Sequence, residues 1–137
     1  MSEICYQIEP NLTVEEFKEV LINSTLGERR PIDDENILLK MLAGAQLIYT
    51  ARHNQTLVGV ARSISDGAYC TYLSDLAVDE EFQHRGIGKE LIRLSKLAFP
   101  TANLILLSAP KAVDYYPKIG MTRHEHAFML KNAHDLI

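Results

Sequence analysis

The stretch Tyr72-Leu73-Ser74-Asp75-Leu76-Ala77-Val78-Asp79-Glu80-Glu81-Phe82-Gln83-His84-Arg85-Gly86-Ile87-Gly88-Lys89 decides how this chain folds. Its first half reads as a buried strand, which gives way to a short polar loop and then to a helix. Two glycines, Gly86 and Gly88, fall in the first turn of that helix. The leading amides of a helix have no intrahelical partner and carry the positive end of its dipole. Glycines remove the Cβ atoms that would hold a bulky anion away from those amides. Arg85 and Lys89 add positive charge beside the same spot. The segment is therefore expected to cradle a pyrophosphate.

Two better-known phosphate motifs do not fit. A P-loop needs Gly-Lys followed by Ser or Thr to reach magnesium, whereas Gly88-Lys89 is followed by Glu90 and Gln83 stands where the first glycine should be. A dinucleotide fingerprint needs a third glycine or an alanine where Leu91 stands, and leucine blocks close helix–strand packing.

Working outward, the central strand begins near Tyr69, after the turn signal Asp66-Gly67, and the helix runs over about residues 86–99 until Pro100 stops it. Its apolar face is Ile87, Leu91, Leu94 and Ala98. Upstream, residues 5–8 read as a first strand. Thr13 caps a helix from Val14, with Glu16 as its capping-box partner. Asp33 is expected to cap a second helix through Ile37, Leu38, Met41 and Leu42, stopped by Gly44. Strands follow over 46–52 and 56–65, joined by the polar turn His53-Asn54-Gln55. Downstream, Leu104, Ile105, Leu106 and Leu107 form a short continuous apolar run, as expected for a strand buried on both faces. A helix over about 112–119 ends at Gly120, and strands are expected around 121–124 and 127–131. The order is β-α-α-β-β-β-α-β-α-β, without repeat, linker or low-complexity segment.

The 137 residues suit a single domain, 1–137. With 47% hydrophobic and 23% charged residues, the chain can build a core without staples. Glu3, Gln7 and Glu9 interrupt any apolar run near the start, and no stretch is long enough to span a membrane, so a soluble, cytoplasmic protein is expected. A net charge of −4 argues against nucleic-acid binding, which favours a basic face. Cys5 and Cys70 lack a C-x-x-C or a nearby histidine, and are expected as buried or half-buried thiols in a reducing compartment.

The run Gln83-His84-Arg85-Gly86-Ile87-Gly88 resembles the Q/R-x-x-G-x-G/A motif of the GNAT superfamily of acetyl-CoA-dependent N-acetyltransferases. Downstream, Ala112-Val113-Asp114-Tyr115-Tyr116-Pro117-Lys118-Ile119-Gly120-Met121 resembles that family's second pattern, in the expected order. The resemblance covers nearly the whole chain. It implies an α/β (α+β) fold with a mixed, mostly antiparallel central sheet, a splayed parallel strand pair and helices on both faces.

It also implies roles. Leu76, Ala77 and Val78 would offer backbone groups to the pantetheine arm of acetyl-CoA, and a backbone N–H among them would polarise the thioester carbonyl. Gln83, His84, Arg85, Gly86, Ile87, Gly88 and Lys89 would hold the pyrophosphate. A primary amine would attack the thioester directly, with Tyr116 as the acid that protonates departing CoA. Asp75 is either the base that takes the amine's proton or a carboxylate that merely bonds a loop. No metal is called for. The chain departs from the family at Ala109, where asparagine is frequent, and at Met121, where an aromatic is common.

The acceptor itself, an unidentified amine, is not legible. The family builds its acceptor site from residues corresponding to 25–35 and 124–126. Asp33, Asp34 and Glu35 either attract a cationic amine or complement a helix dipole, and Arg29 and Arg30 either bind a substrate carboxylate or solvate a loop. His124 and His126 read as surface or pocket-lining residues, without a third zinc ligand at sensible spacing. A homodimer is compatible with family habit. The alternative to an enzyme is a CoA-binding regulatory or partner-binding module on the same fold.

Overall fold

The computed structural model describes residues 3–137; Met1 and Ser2, the first two of the expected domain, lie outside them. Two compact units result, Met1–Leu107 and Ser108–Ile137.

The first unit is a five-stranded sheet in the order β1-β2-β3-β4-β5. Strands β1 (Ile4–Ile8), β2 (Leu47–His53), β3 (Thr56–Ser65) and β4 (Cys70–Val78) pair antiparallel in sequence, and β5 (Asn103–Ile105) lies parallel to β4. The sheet is thus mixed and mostly antiparallel, as expected. Turn chemistry sets the hairpins: Asn54 and Gln55 both take positive φ, 49° and 71°, between β2 and β3. Between β3 and β4, Asp66 Oδ1 accepts from the amides of Ala68, Tyr69 and Cys70.

Helix α1 (Val14–Asn23) starts where Thr13 Oγ1 accepts from Glu16 N at 3.2 Å. The Glu16 carboxylate reaches Arg52 instead of completing the far side of a capping box. Helix α2 (Glu35–Ala43) is capped by Asp34, which accepts from Ile37 N at 3.2 Å; the cap expected at Asp33 lies one residue later. Phe17, Val20 and Leu21 of α1 and Leu38 of α2 bury against Ile48, Leu57, Val60 and Ala77 on one sheet face. Helix α3 (Ile87–Ala98) covers the other, with Ile87 and Leu91 on Ala51, Val58, Ala61 and Leu73. Its buried stripe closes on Ser95, which donates to Leu91 O, rather than on Leu94 and Ala98.

Strand β4 switches faces partway along its length. Arg62 opposes Asp75 and Ser63 opposes Leu73, leaving Ser74 surplus in a β-bulge. Leu73 therefore packs in the α3 layer, while Ala77, four residues on, packs in the α1–α2 layer. In an unbroken strand both would face one side.

The second unit holds one turn of helix, α4 (Tyr115–Lys118), between short 3-10 turns at Pro110–Ala112 and Ala133–Asp135. Gly120, at φ 102°, ends α4: its N–H donates to Pro117 O and that of Met121 to Tyr116 O, the paired bonds of a Schellman motif. The longer helix over 112–119 is thus broken into two pieces. The strands expected around 121–124 and 127–131 do not form among the described residues.

Three further expectations change. The apolar run at Leu104 is a three-residue sheet edge, not a strand buried on both faces, and Ile105 and Leu107 are half exposed. Cys5, on the outer strand β1, and Cys70, at the start of β4, are exposed free thiols rather than buried ones. Both sit where a strand lacks cover.

Candidate acetyl-CoA site

Strands β4 and β5 pair only through Cys70–Tyr72 and Asn103–Ile105. Beyond Tyr72, β4 runs on to Val78 with its second edge unpaired by any described strand. Asp79 N donates to Val58 O at 2.8 Å. In an antiparallel ladder, pairs that exchange hydrogen bonds alternate with pairs that do not. With Gly59 opposite Val78, Val60 opposite Ala77 and Ala61 opposite Leu76, the alternation turns the amide and carbonyl of Ala77 toward β3. Those of Leu76 and Val78 face the open edge. Of the expected backbone donors, Leu76 and Val78 are free to meet an extended ligand and Ala77 is not.

Val78 O is also spoken for, because the Gln83 side chain donates to it through Nε2 at 3.0 Å. Gln83 thus ties the loop back onto the strand end. A short 3-10 turn, Glu80–Phe82, capped by Asp79, carries the chain over to α3. His84 (φ 64°) and Gly86 (φ 82°) take left-handed backbone, and Gly86 is the N-cap of α3. No side chain caps that end, so the first amides of α3 have no protein partner there; Glu90 N is the first to bond back, to Gly86 O. A Cβ placed on Gly86 would meet nothing within 4 Å. The start of α3 therefore leaves its first amides unpaired with open space over Gly86, and the residues fit a pyrophosphate.

Arg85 lies beside it but is turned back: its Nη2 donates to Glu81 O at 3.1 Å and its guanidinium covers the Phe82 ring at 4.8 Å. Phe82 in turn rests on the His53 ring at 5.0 Å. Lys89 is exposed one turn into the helix. The position of α3 itself depends on Gly59 of β3, which the sequence reading passed over. A Cβ there would come within 3.2 Å of Ile87 and Leu91 side-chain carbons.

Asp75 does not look out of the strand. It is completely buried, and each of its carboxylate oxygens takes a guanidinium Nε, Arg30 on one side and Arg62 on the other. A general base must reach the proton it removes, directly or through one water. Here the carboxylate has no exposed surface and both of its oxygens are engaged, and its bond to Arg30 joins it to the segment between α1 and α2. Arg30, expected either to bind substrate or to solvate a loop, is held here by its own chain.

Tyr116 lies in the second unit, half-buried, with its ring 5.2 Å from that of Tyr115 in an edge-to-face pair. Burial, and then Tyr115, push the Tyr116 phenol above its ordinary value of 10.0. It stays protonated through neutral pH, the state an acid requires. Asp33 and Glu35 line a cleft of about 310 Å³ together with Glu15 and Lys18 on a floor of Val14, Ile32 and Leu38. His124 and His126 are exposed, and His124 Nδ1 accepts from His126 N at 3.0 Å. Among the described residues no three potential ligands gather for a metal, and no helix is long and apolar enough to cross a membrane.

Residues 13–133 match the family described as the acetyltransferase (GNAT) domain. The chain belongs to that family. It is 30% identical over 106 residues to a protein named uncharacterized N-acetyltransferase ycf52 of Gracilaria tenuistipitata var. liui, covering 74% of this chain and 58% of that one. It is 32% identical over 72 residues to GCN5-related N-acetyltransferase 2, chloroplastic, of Arabidopsis thaliana, covering 50% and 28%. The chain thus spans less than two thirds of these relatives. Among solved structures, a GNAT-family acetyltransferase of Streptococcus pneumoniae TIGR4 superposes with a TM-score of 0.80 at 21% identity, covering 95% of this chain and 98% of that one. An aminoglycoside N-acetyltransferase solved with CoA gives 0.74 at 15% identity, covering 97% of each. At such identities the likeness is one of fold.

Proposed function

We propose that the chain transfers the acetyl group of acetyl-CoA to a primary amine by direct attack, as a single working domain. The observation that carries this reading is the uncapped start of α3 next to the open edge of β4. One offers amides to a diphosphate and the other offers a strand edge to an amide-bearing arm. Family membership supports the same donor.

In this reading the amides around Gly86, Ile87, Gly88 and Lys89 take the diphosphate, and the Gln83–Val78 bond keeps loop and strand in register. The Leu76 and Val78 amides pair with pantetheine, and an N–H of that edge meets the thioester carbonyl oxygen. A preorganised donor at a developing oxyanion is worth about 3–4 kcal/mol in transition-state stabilisation. The amine nitrogen forms a bond to the acetyl carbon, and the carbon–sulfur bond breaks. The departing thiolate takes the Tyr116 hydroxyl proton, the amine nitrogen gives its own to solvent water, and the tyrosinate regains a proton from solvent.

The test is calorimetry with CoA and acetyl-CoA, followed by thiol release with an amine panel of spermidine, L-lysine, tyramine and sisomicin. Binding of both cofactor forms and amine-dependent thiol release are expected. No heat with either form on folded protein would end this reading. Binding without turnover would leave a CoA-binding module.

A further inference from the structure

The bulge in β4 creates a problem that the chain solves with charge. An extra residue in a ladder loses its partner, and Ser74 O finds one outside the sheet, in Arg30 Nη2 at 2.8 Å. Arg30 belongs to the segment between α1 and α2, where it follows a 3-10 turn, Leu26–Arg29. Its Nη1 closes on Arg29 O at 2.9 Å, and its Nε meets Asp75. Asp75 is held from behind by Arg62 of β3, whose Nη2 also reaches Ser74 Oγ at 3.0 Å and whose Nη1 reaches Met41 O in α2 at 3.0 Å. One buried carboxylate thus joins β3, β4, the end of α2 and the α1–α2 segment.

The clamp closes next to the reactive edge. Ser74 is two residues from Leu76, or about 7 Å along a strand. Arg30, which holds Ser74 O, keeps 21% of its side chain exposed on that stretch of β4.

Resting on the acetyl-transfer reading, we infer that Asp75 is a positioning residue, which fixes Arg30 and the 25–34 segment against the β4 bulge and so sets the acceptor side of the cleft. Its carboxylate moves no proton; it decides where the amine stands. A lysine can replace Arg30 only in part, because a point charge does not span Asp75, Ser74 O and Arg29 O at once as a guanidinium fork does.

Hydrogen exchange on the ligand-free full chain reads the clamp without turnover. In Arg30→Ala, amides of residues 25–34 should exchange at least about tenfold faster while those of α3 keep their protection, a local opening rather than a global one. Unchanged exchange in 25–34 overturns the clamp. Kinetics with the best amine of the panel reads its consequence. Arg30→Ala should raise the amine KM about tenfold and leave the acetyl-CoA KM within about twofold, with Arg30→Lys between it and the parent. Asp75→Asn should move the same constant, and the double variant should be no worse than the worse single one, since both act through one contact. A loss confined to kcat in Asp75→Asn, with the amine KM unmoved, would restore Asp75 as the base and overturn the inference. If the parent acetylates none of the amines, the acetyl-transfer reading fails, and the exchange result still decides the clamp.

Discussion

Gly59 of β3 lies directly beneath Ile87 of α3: a Cβ on the glycine would stand 3.2 Å from Ile87 Cγ2 and 3.3 Å from Ala51 Cβ. The missing side chain lets the first turn of α3 settle on the sheet, and that turn is the one whose amides stay free. Gly59→Val should therefore cost about 1–3 kcal/mol through overpacking and also weaken acetyl-CoA binding. Denaturant unfolding and calorimetry check the two effects separately. A variant as stable and as tight-binding as the parent would show that α3 is not set by this contact.

Gly86 is exposed to a different penalty. Its φ of 82° strains any L-residue, but a Cβ there meets no atom within 4 Å. Gly86→Ala should cost about 1–2 kcal/mol of stability, from backbone alone. Gly86→Glu adds bulk and negative charge where a diphosphate would sit, and its acetyl-CoA KM should rise by at least about tenfold. Equal KM values in the folded glutamate variant and the parent would remove the cradle.

Tyr116→Phe should lower kcat by about 100-fold or more, the usual scale for a lost acid, with acetyl-CoA affinity nearly unchanged. Because burial raises the phenol above its ordinary 10.0, the parent should not lose activity to Tyr116 ionisation below about pH 10. A pH–rate profile of both proteins measures this. Full activity in the phenylalanine variant would dismiss the tyrosine.

Arg52 joins β2 to two acids, Glu9 at 2.7 Å and Glu16 at 2.7 Å, and Glu9 also accepts from Thr50. The Arg52 bonds hold the Glu9 carboxyl down to about 2 from an ordinary 4.5. A carboxyl lowered by folding stabilises fully above its unfolded value and loses that contribution as pH falls toward its folded one. Glu9 should thus support the fold above about pH 4.5 and withdraw that support between there and about pH 2. The pair is partly exposed, so its contribution is on the order of 1 kcal/mol after solvent screening. Urea unfolding across that range should show the loss in the parent, and Glu9→Gln should flatten it. Identical pH slopes for the two proteins would contradict the network.

Most of the sheet was legible because its turns carry their own chemistry. Asp66-Gly67 is a hairpin signal between two strand-like runs, residues 53–55 form a polar break, and β3 begins at Thr56 and ends at Ser65 as expected. Thr13 was legible for the same local reason. The cap of α2 slipped by one, since Asp33 and Asp34 are adjacent carboxylates and only the backbone decides between them. What lay beyond reach was pairing at a distance. Nothing near Ser74 announces a bulge, and nothing near Asp75 announces two arginines from 13 and 45 residues away. The tail misled in the opposite sense: residues 121–124 follow the glycine that ends a helix and read as extended, but a strand also needs a neighbour with which to exchange bonds. At the site, the two glycines fall at the start of α3 as the sequence indicated, whereas the Gln83 side chain bonds Val78 O and Ala77 commits its backbone to β3, a matter of ladder phase that composition cannot reveal.

The surplus residue at position 74 makes β4 sensitive to length before it is sensitive to spelling. Excising that one residue would leave each half of the strand with the same letters but the wrong orientation. Either Leu73 would turn from its neighbours under α3, or Ala77 and the buried acid would turn from theirs under α1 and α2. Substitutions at 74 forfeit a hydroxyl contact; a deletion would swap inside for outside along half a strand.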